Sequence, residues 1–163
     1  MSRSASDMTH HGEVTRSPAR LRRLPTRLLS LAAMLSDRLV NEGLAHADAR
    51  KWHYAVLATL EEAGPVSQAE LSRRTGIYRS DVVAVINELA GRGLVERAPD
   101  PADRRRNVIT MTRQGLDRLR SLDAVLAALE DEVLAPLTGP ERDQLTGLLT
   151  RLVDHHAGST GCA

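Results

Sequence analysis

The sequence predicts a mainly α-helical protein carrying one small β-hairpin, and three observations predict it. Leucines recur at three- and four-residue intervals towards both ends of the 163-residue chain. In the middle, a short helical segment, a glycine and a second helical segment follow one another from Ser67 to Gly93. Two short alternating segments, LVER and VITMT, then flank the loop Pro99–Asn107, PDPADRRRN. Periods of 3.6 and 2 residues are the marks of helix and strand, respectively.

Each element has a local cause. Residues 26–40 place Leu28, Leu31, Leu35 and Leu39 on one face behind Pro25, which a first helical turn tolerates, and the helix is expected to end near Asn41 and Gly43. The next helix sets Trp52, Val56, Leu57 and Leu60 on one side and stops at Gly64-Pro65. Ser67-Gln68-Ala69-Glu70 has the form of a capping box and opens a short helix, Gln68–Arg74, closed by Gly76. In the following helix Val82, Val85, Ile86 and Leu89 form a buried stripe, leaving small or polar groups on the opposite face: Ser80, Val83, Ala84 and Asn87. The hairpin comes next, with Ile109 and Met111 inward and Val108, Thr110 and Thr112 outward. Thr112 caps a long helix bearing Leu116, Leu119, Leu122, Leu126, Leu129 and Val133 before Pro136, and a second capping box, Thr138 to Glu141, opens the last helix.

Composition narrows the function classes. Twenty-two basic and 21 acidic residues leave a net charge of +1, yet residues 68–113 hold nine Arg against six acids while 114–163 hold four Arg against eight. A local basic face can hold a polyanion whatever the total charge. The lone cysteine, Cys162, allows neither an internal disulfide nor a Cys-based zinc cage. With no apolar run long enough for a bilayer and no signal-like segment in the polar first twenty residues, a cytoplasmic protein without membrane contact is expected. Three aromatic residues, Trp52, Tyr54 and Tyr78, are too few for a stacking platform on single strands. No G-x-S-x-G, H-E-x-x-H or phosphate-cradling glycine loop is present, so neither an enzyme nor a cofactor is indicated. His10-His11 and His155-His156 are adjacent pairs near chain ends and make poor metal ligands, so no metal site is expected.

Two helices joined by a short glycine turn form a helix-turn-helix, and a basic hairpin behind it completes a winged version suited to duplex DNA. The second helix can enter the major groove while the hairpin reaches a neighbouring minor groove, where arginine meets concentrated negative potential. The candidate DNA contacts are Arg73, Arg74, Tyr78, Arg79, Ser80, Asp81, Val83, Ala84, Asn87, Asp103, Arg104, Arg105 and Arg106. The leucine-striped flanking helices have more apolar face than so small a module can cover, which points to a homodimer on a roughly palindromic operator. A winged helix that binds protein rather than DNA is the alternative.

The order of elements, the loop LVERAPDPADRR and the spacing of Asp103, Arg105, Met111 and Thr112 resemble the MarR family of winged-helix transcription regulators. The resemblance covers roughly residues 25–155 and implies a dimer built from the N- and C-terminal helices. It also implies that Arg105 enters the minor groove and that Asp103 holds it in place. Where relatives commonly begin the recognition helix with Asp-Arg-Ser-Thr and carry an arginine four residues after the serine, this chain has Tyr78-Arg79-Ser80-Asp81 and Ala84. Family operators are therefore not transferable to it. The resemblance further implies a repressor released by a small, often aromatic ligand, for which Trp52, His53 and Tyr54 are the candidate contacts; their ordinary packing would put Trp52 and Tyr54 in the core and His53 in water. The expected organisation is a disordered tail (1–20), N-terminal helices (21–64), the winged module (65–113), C-terminal dimerisation helices (114–156) and a second disordered tail (157–163).

Overall fold

The computed structural model describes residues 18–100, 103–104 and 107–159. Among these the order is α1 (Ala19–Arg22), α2 (Pro25–His46), α3 (Lys51–Ala63), β1 (Val66–Ser67), α4 (Gln68–Thr75), α5 (Arg79–Gly91), β2 (Val95–Pro99), β3 (Asn107–Met111), α6 (Arg113–Val133) and α7 (Gly139–Ser159). The chain divides into two units, residues 1–40 and 41–163. In the first, Leu21 of α1, Leu24 in the link to α2, and Leu28, Leu29, Met34 and Leu35 of α2 are exposed. In the second, a core at most 6% exposed gathers Val56, Leu57 and Leu60 of α3, Leu71 of α4, the α5 stripe Val82, Val85, Ile86 and Leu89, Leu94, Val95 and Ile109 of the hairpin, and Leu119 and Leu122 of α6.

The hairpin belongs to a three-stranded antiparallel sheet of order β1-β3-β2. Pro99 pairs with Asn107 and Val95 with Met111, while β1 adds Val66 opposite Ile109. A two-residue strand is too short to announce itself by alternation, so β1 had no sequence signal. Ile109 is buried as expected, whereas Met111 is only partly covered.

Several boundaries differ from the sequence expectation for physical reasons. The first long helix runs through Asn41 and Gly43 to His46. Gly43 is there for close packing rather than to stop the helix, since a Cβ would overlap the Leu129 side chain of α6. The chain turns instead at Asp48, whose φ of 51° is a left-handed conformation that Asp tolerates better than most residues. Arg92 holds that turn through the Asp48 carboxylate at 3.0 and 3.2 Å and the Asp48 carbonyl at 2.8 Å. The short α1 begins at Ala19, inside the segment expected to be a tail, and α7 continues to Ser159, past the expected end of the C-terminal helices at residue 156.

The buried stripe of α3 is His53, Val56, Leu57 and Leu60, a clean i, i+3, i+4, i+7 set. Trp52, expected inside, precedes that stripe and is 46% exposed, while His53, expected in water, is 3% exposed. The two capping boxes are each half made. Ser67 Oγ accepts from the Glu70 amide at 3.2 Å, but the Glu70 carboxylate turns to Arg73 and Arg74. At Thr138 the reverse holds: Glu141 accepts from the Thr138 amide at 2.8 Å and from its hydroxyl at 2.7 Å, and both bonds hold the Glu141 carboxyl below its ordinary range.

The sheet is tied to α6 at one crowded point. Thr112 caps α6 by accepting from the Gly115 amide at 3.0 Å, and its own amide and hydroxyl donate to the carbonyls of Leu94 and Gly93. A Cβ at Gly115 would overlap the Leu94 carbonyl oxygen, a backbone atom that cannot swing aside. Gly115→Ala is accordingly expected to lower stability by about 1–3 kcal/mol, read as a reduced midpoint in chemical or thermal unfolding.

Candidate nucleic-acid interface

The turn between α4 and α5 is built to fix the angle of α5. Gly76 closes α4 in the left-handed conformation, φ 70° and ψ 7°, which glycine adopts without steric cost. Ile77 then drops into the core, 2% exposed. Two α4 hydroxyls complete the corner: Ser72 Oγ donates to the Ile77 carbonyl at 2.6 Å, and Thr75 Oγ1 accepts from the Ile77 amide at 3.3 Å. With its four-residue stripe buried, α5 can present only one face outward.

That face carries Arg79, Ser80, Asp81, Val83, Ala84 and Asn87, all exposed, and Tyr78 stands beside it at the N-cap, 80% exposed. Apart from Arg79 and Tyr78 these side chains are short, so a bulky surface can come close to the helix. Asp81 lies in the first turn, where a carboxylate complements the positive end of the helix dipole. Ser80 Oγ donates to it at 3.4 Å. On α4, Arg73 and Arg74 share the one Glu70 carboxylate, Arg74 Nε at 2.6 Å, which leaves the cluster a net positive charge beside the turn. At the hairpin tip Asp103 and Arg104 are exposed, and Arg105 and Arg106 lie outside the described residues.

Trp52, His53 and Tyr54 do not converge. Successive helical side chains diverge by about 100°, so Trp52 faces outward, Tyr54 donates to Asp123 Oδ1 of α6 at 2.9 Å, and His53 turns to α5. Burial and then the Asp123 carboxylate push the Tyr54 hydroxyl above its usual range.

What sequence reasoning missed is an ionic contact between the α2–α3 corner and the far end of α5. Glu88 pairs with Arg50 and accepts from His53 Nε2 at 2.9 Å, and Arg92, one turn on, pairs with Asp48. The Arg50 guanidinium, and after it His53, hold the Glu88 carboxyl below its ordinary range. Burial pushes the His53 imidazole down, against the opposing pull of its bond to Glu88. The alternating charges on Asp48, Arg50, Glu88 and Arg92 were visible as residues, but nothing local showed that side chains so far apart in the chain meet.

Residues 48–106 match the sequence profile of the MarR family. The transcriptional repressor NicR of Pseudomonas putida is 29% identical over 101 residues, 62% of this chain and 64% of NicR, so the match spans under two thirds of that relative. Among solved structures, the PcaV regulator of Streptomyces coelicolor in complex with its natural ligand is 28% identical, covers 85% of this chain and 97% of its own, and superposes with a TM-score of 0.71. A mutant MarR from E. coli complexed with operator DNA is 25% identical, with 84% and 99% covered and a TM-score of 0.70. The chain belongs to the MarR family. These relatives are regulators of transcription and not enzymes.

Within a MarR chain the placement of Asp81 and Ala84 on the exposed face of α5 has a consequence. The residues that depart from the common family pattern are solvent-facing and make no contribution to the core, so they are free to change what the helix touches without changing how it is held. The orientation of that helix depends on the corner before it. Ser72→Ala leaves the Ile77 carbonyl without its hydroxyl donor and is expected to cost about 1 kcal/mol of stability, measured by denaturant unfolding.

Proposed function

We propose that this protein is a dimeric, DNA-binding transcription repressor of the cytoplasm that recognises a pseudo-palindromic operator and is released by a small, aromatic ligand. The observation that carries the reading is the pairing of a rigidly held α5, whose outer face is short-chained and exposed, with an arginine-bearing hairpin tip on the same sheet-braced module. NicR is named as a repressor, the MarR mutant was solved on operator DNA, and PcaV was solved with its natural ligand; each supports the corresponding part.

The division of labour follows from chemistry. Arg73, Arg74 and Arg79 supply charge at the phosphate backbone, which positions the protein without reading sequence. Tyr78, Ser80, Asp81, Val83, Ala84 and Asn87 face the base edges in the major groove. Asp81 repels phosphate but can accept a hydrogen bond from the cytosine amino group. Arg104, Arg105 and Arg106 are assigned to the minor groove, with Arg105 as the inserting side chain and Asp103 as the residue that orients it.

The exposed apolar side chains of α1–α2 and, separately, Leu148, Leu152 and Val153 of α7 are surfaces for a second copy. Two copies would set paired recognition helices about one helical turn of DNA apart, roughly 34 Å. Among the described residues no helix is long and apolar enough to cross a membrane. For the effector, exposed Trp52 is the contact this reading favours; His53 and Tyr54 are already engaged by Glu88 and Asp123.

Duplex fragments selected from genomic DNA should be bound with an affinity that falls steeply with salt, and Arg105→Ala should weaken binding and reduce the salt slope by about one charge. Unchanged affinity and slope in that variant would remove the wing from the interface. Asp81→Ala should select a different base at one position in each half-site from a random DNA pool, by about 1–3 kcal/mol of discrimination, and identical selected sites would show that Asp81 reads nothing.

A further inference from the structure

The far end of α5 is held by more than its apolar stripe, and one imidazole stands at the centre of that hold. His53 Nδ1 lies 3.3 Å from the backbone amide of Arg50, an obligatory donor, so Nδ1 accepts. The ring proton therefore sits on Nε2 and is donated to Glu88 Oε2 at 2.9 Å. A single neutral side chain thus caps the start of α3 and grips the last turns of α5. Its side chain is 4% exposed and lines, with Asp48, Arg50, Glu88 and Arg92, a cleft of about 420 Å³.

Resting on the DNA-binding reading above, we propose that His53 is a positioning residue for the recognition helix, and that proton uptake on its imidazole weakens operator binding. The only place for a second ring proton is Nδ1, where it would face the Arg50 amide, donor against donor. Glu88 already receives the Nε2 proton in the neutral state, so charging the ring adds attraction there but no new bond. Every other charged group of the cleft is occupied or repulsive: Arg50 is paired with Glu88 on the same carboxylate, Arg92 is a like charge, and Asp48 is taken up by Arg92. Little of the ring meets the cleft, so water compensates the charge only in small part. Protonation therefore breaks the bond from the Arg50 amide and favours a shift of the ring or of the first turn of α3, and either loosens a hold on α5.

The stability consequence has a definite sign. Since the folded protein favours neutral His53, the unfolded chain binds more protons below the ordinary histidine pKa of 6.5, and stability falls as pH drops from there through the lower folded-state value. Coupling to DNA works in the same direction, and reciprocity requires that operator binding lower the proton affinity of His53.

The full-length protein is to be titrated with a duplex it selects, at constant ionic strength, between about pH 8 and about pH 5. Wild-type affinity should fall by at least about fivefold more than that of His53→Gln, whose amide nitrogen can donate to Glu88 but does not titrate in this range. Equal pH slopes in a folded variant overturn the proposal while leaving DNA binding intact. Absence of duplex binding by the wild type at neutral pH overturns the DNA-binding reading and this proposal with it. Should His53→Gln not fold, NMR of the wild-type ring decides: a neutral Nε2-protonated imidazole with a pKa lowered on DNA binding supports it, and a pKa unmoved by DNA overturns it.

Discussion

The burial of Val82, Val85, Ile86 and Leu89, none more than 3% exposed, is the constraint on which the rest of the winged module depends. Four apolar side chains on one face leave α5 a single rotation about its axis, and that rotation alone brings Ser80, Asp81, Ala84 and Asn87 to the surface. The other contacts set its tilt. Gly76, Ser72 and Thr75 fix the entry from α4, and Glu88 and Arg92 pin the exit to the α2–α3 corner. Burial supplies the greater part of the driving force, while the polar contacts at both ends select one geometry from the several that burial would accept.

Charge in this protein acts locally. A net charge of +1 is no obstacle to binding a polyanion when the acids are engaged or placed elsewhere. Glu70 illustrates the first arrangement: it is shared by two arginines and cannot neutralise both. Asp48 and Glu88 illustrate the second, since each is spent on an arginine of the corner rather than on the outer face of α5. Asp81 differs, an acid left on the exposed outer face of α5, and there it stabilises the helix start and sets this chain apart from the common family pattern.

Glycine shows how one residue type carries different meanings in different places. Gly76 supplies a left-handed backbone and could be read from its position after a short helix. Gly43 and Gly115 sit inside helices because Leu129 and the Leu94 carbonyl come too close for a Cβ. Nothing near them in sequence distinguishes those roles, because the neighbour that imposes each comes from another element.

The amino-acid sequence by itself determined the order and type of the main elements, the α5 stripe and its outer face, the hairpin with its arginine tip, and the Thr112 cap. Each depends on residues within a few positions of one another, where periodicity, caps and turns act. Only the tertiary structure decided that β1 completes the sheet, that α2 runs on to His46, and that His53 rather than Trp52 turns inward. It also decided that Asp48, Arg50, His53, Glu88 and Arg92 form one contact and that each capping box is half made. In these cases several local choices are nearly equal in energy: for the sheet, the helix end and the corner a partner distant in sequence settles between them, and for the capping boxes a competing side chain only three or four residues away does so.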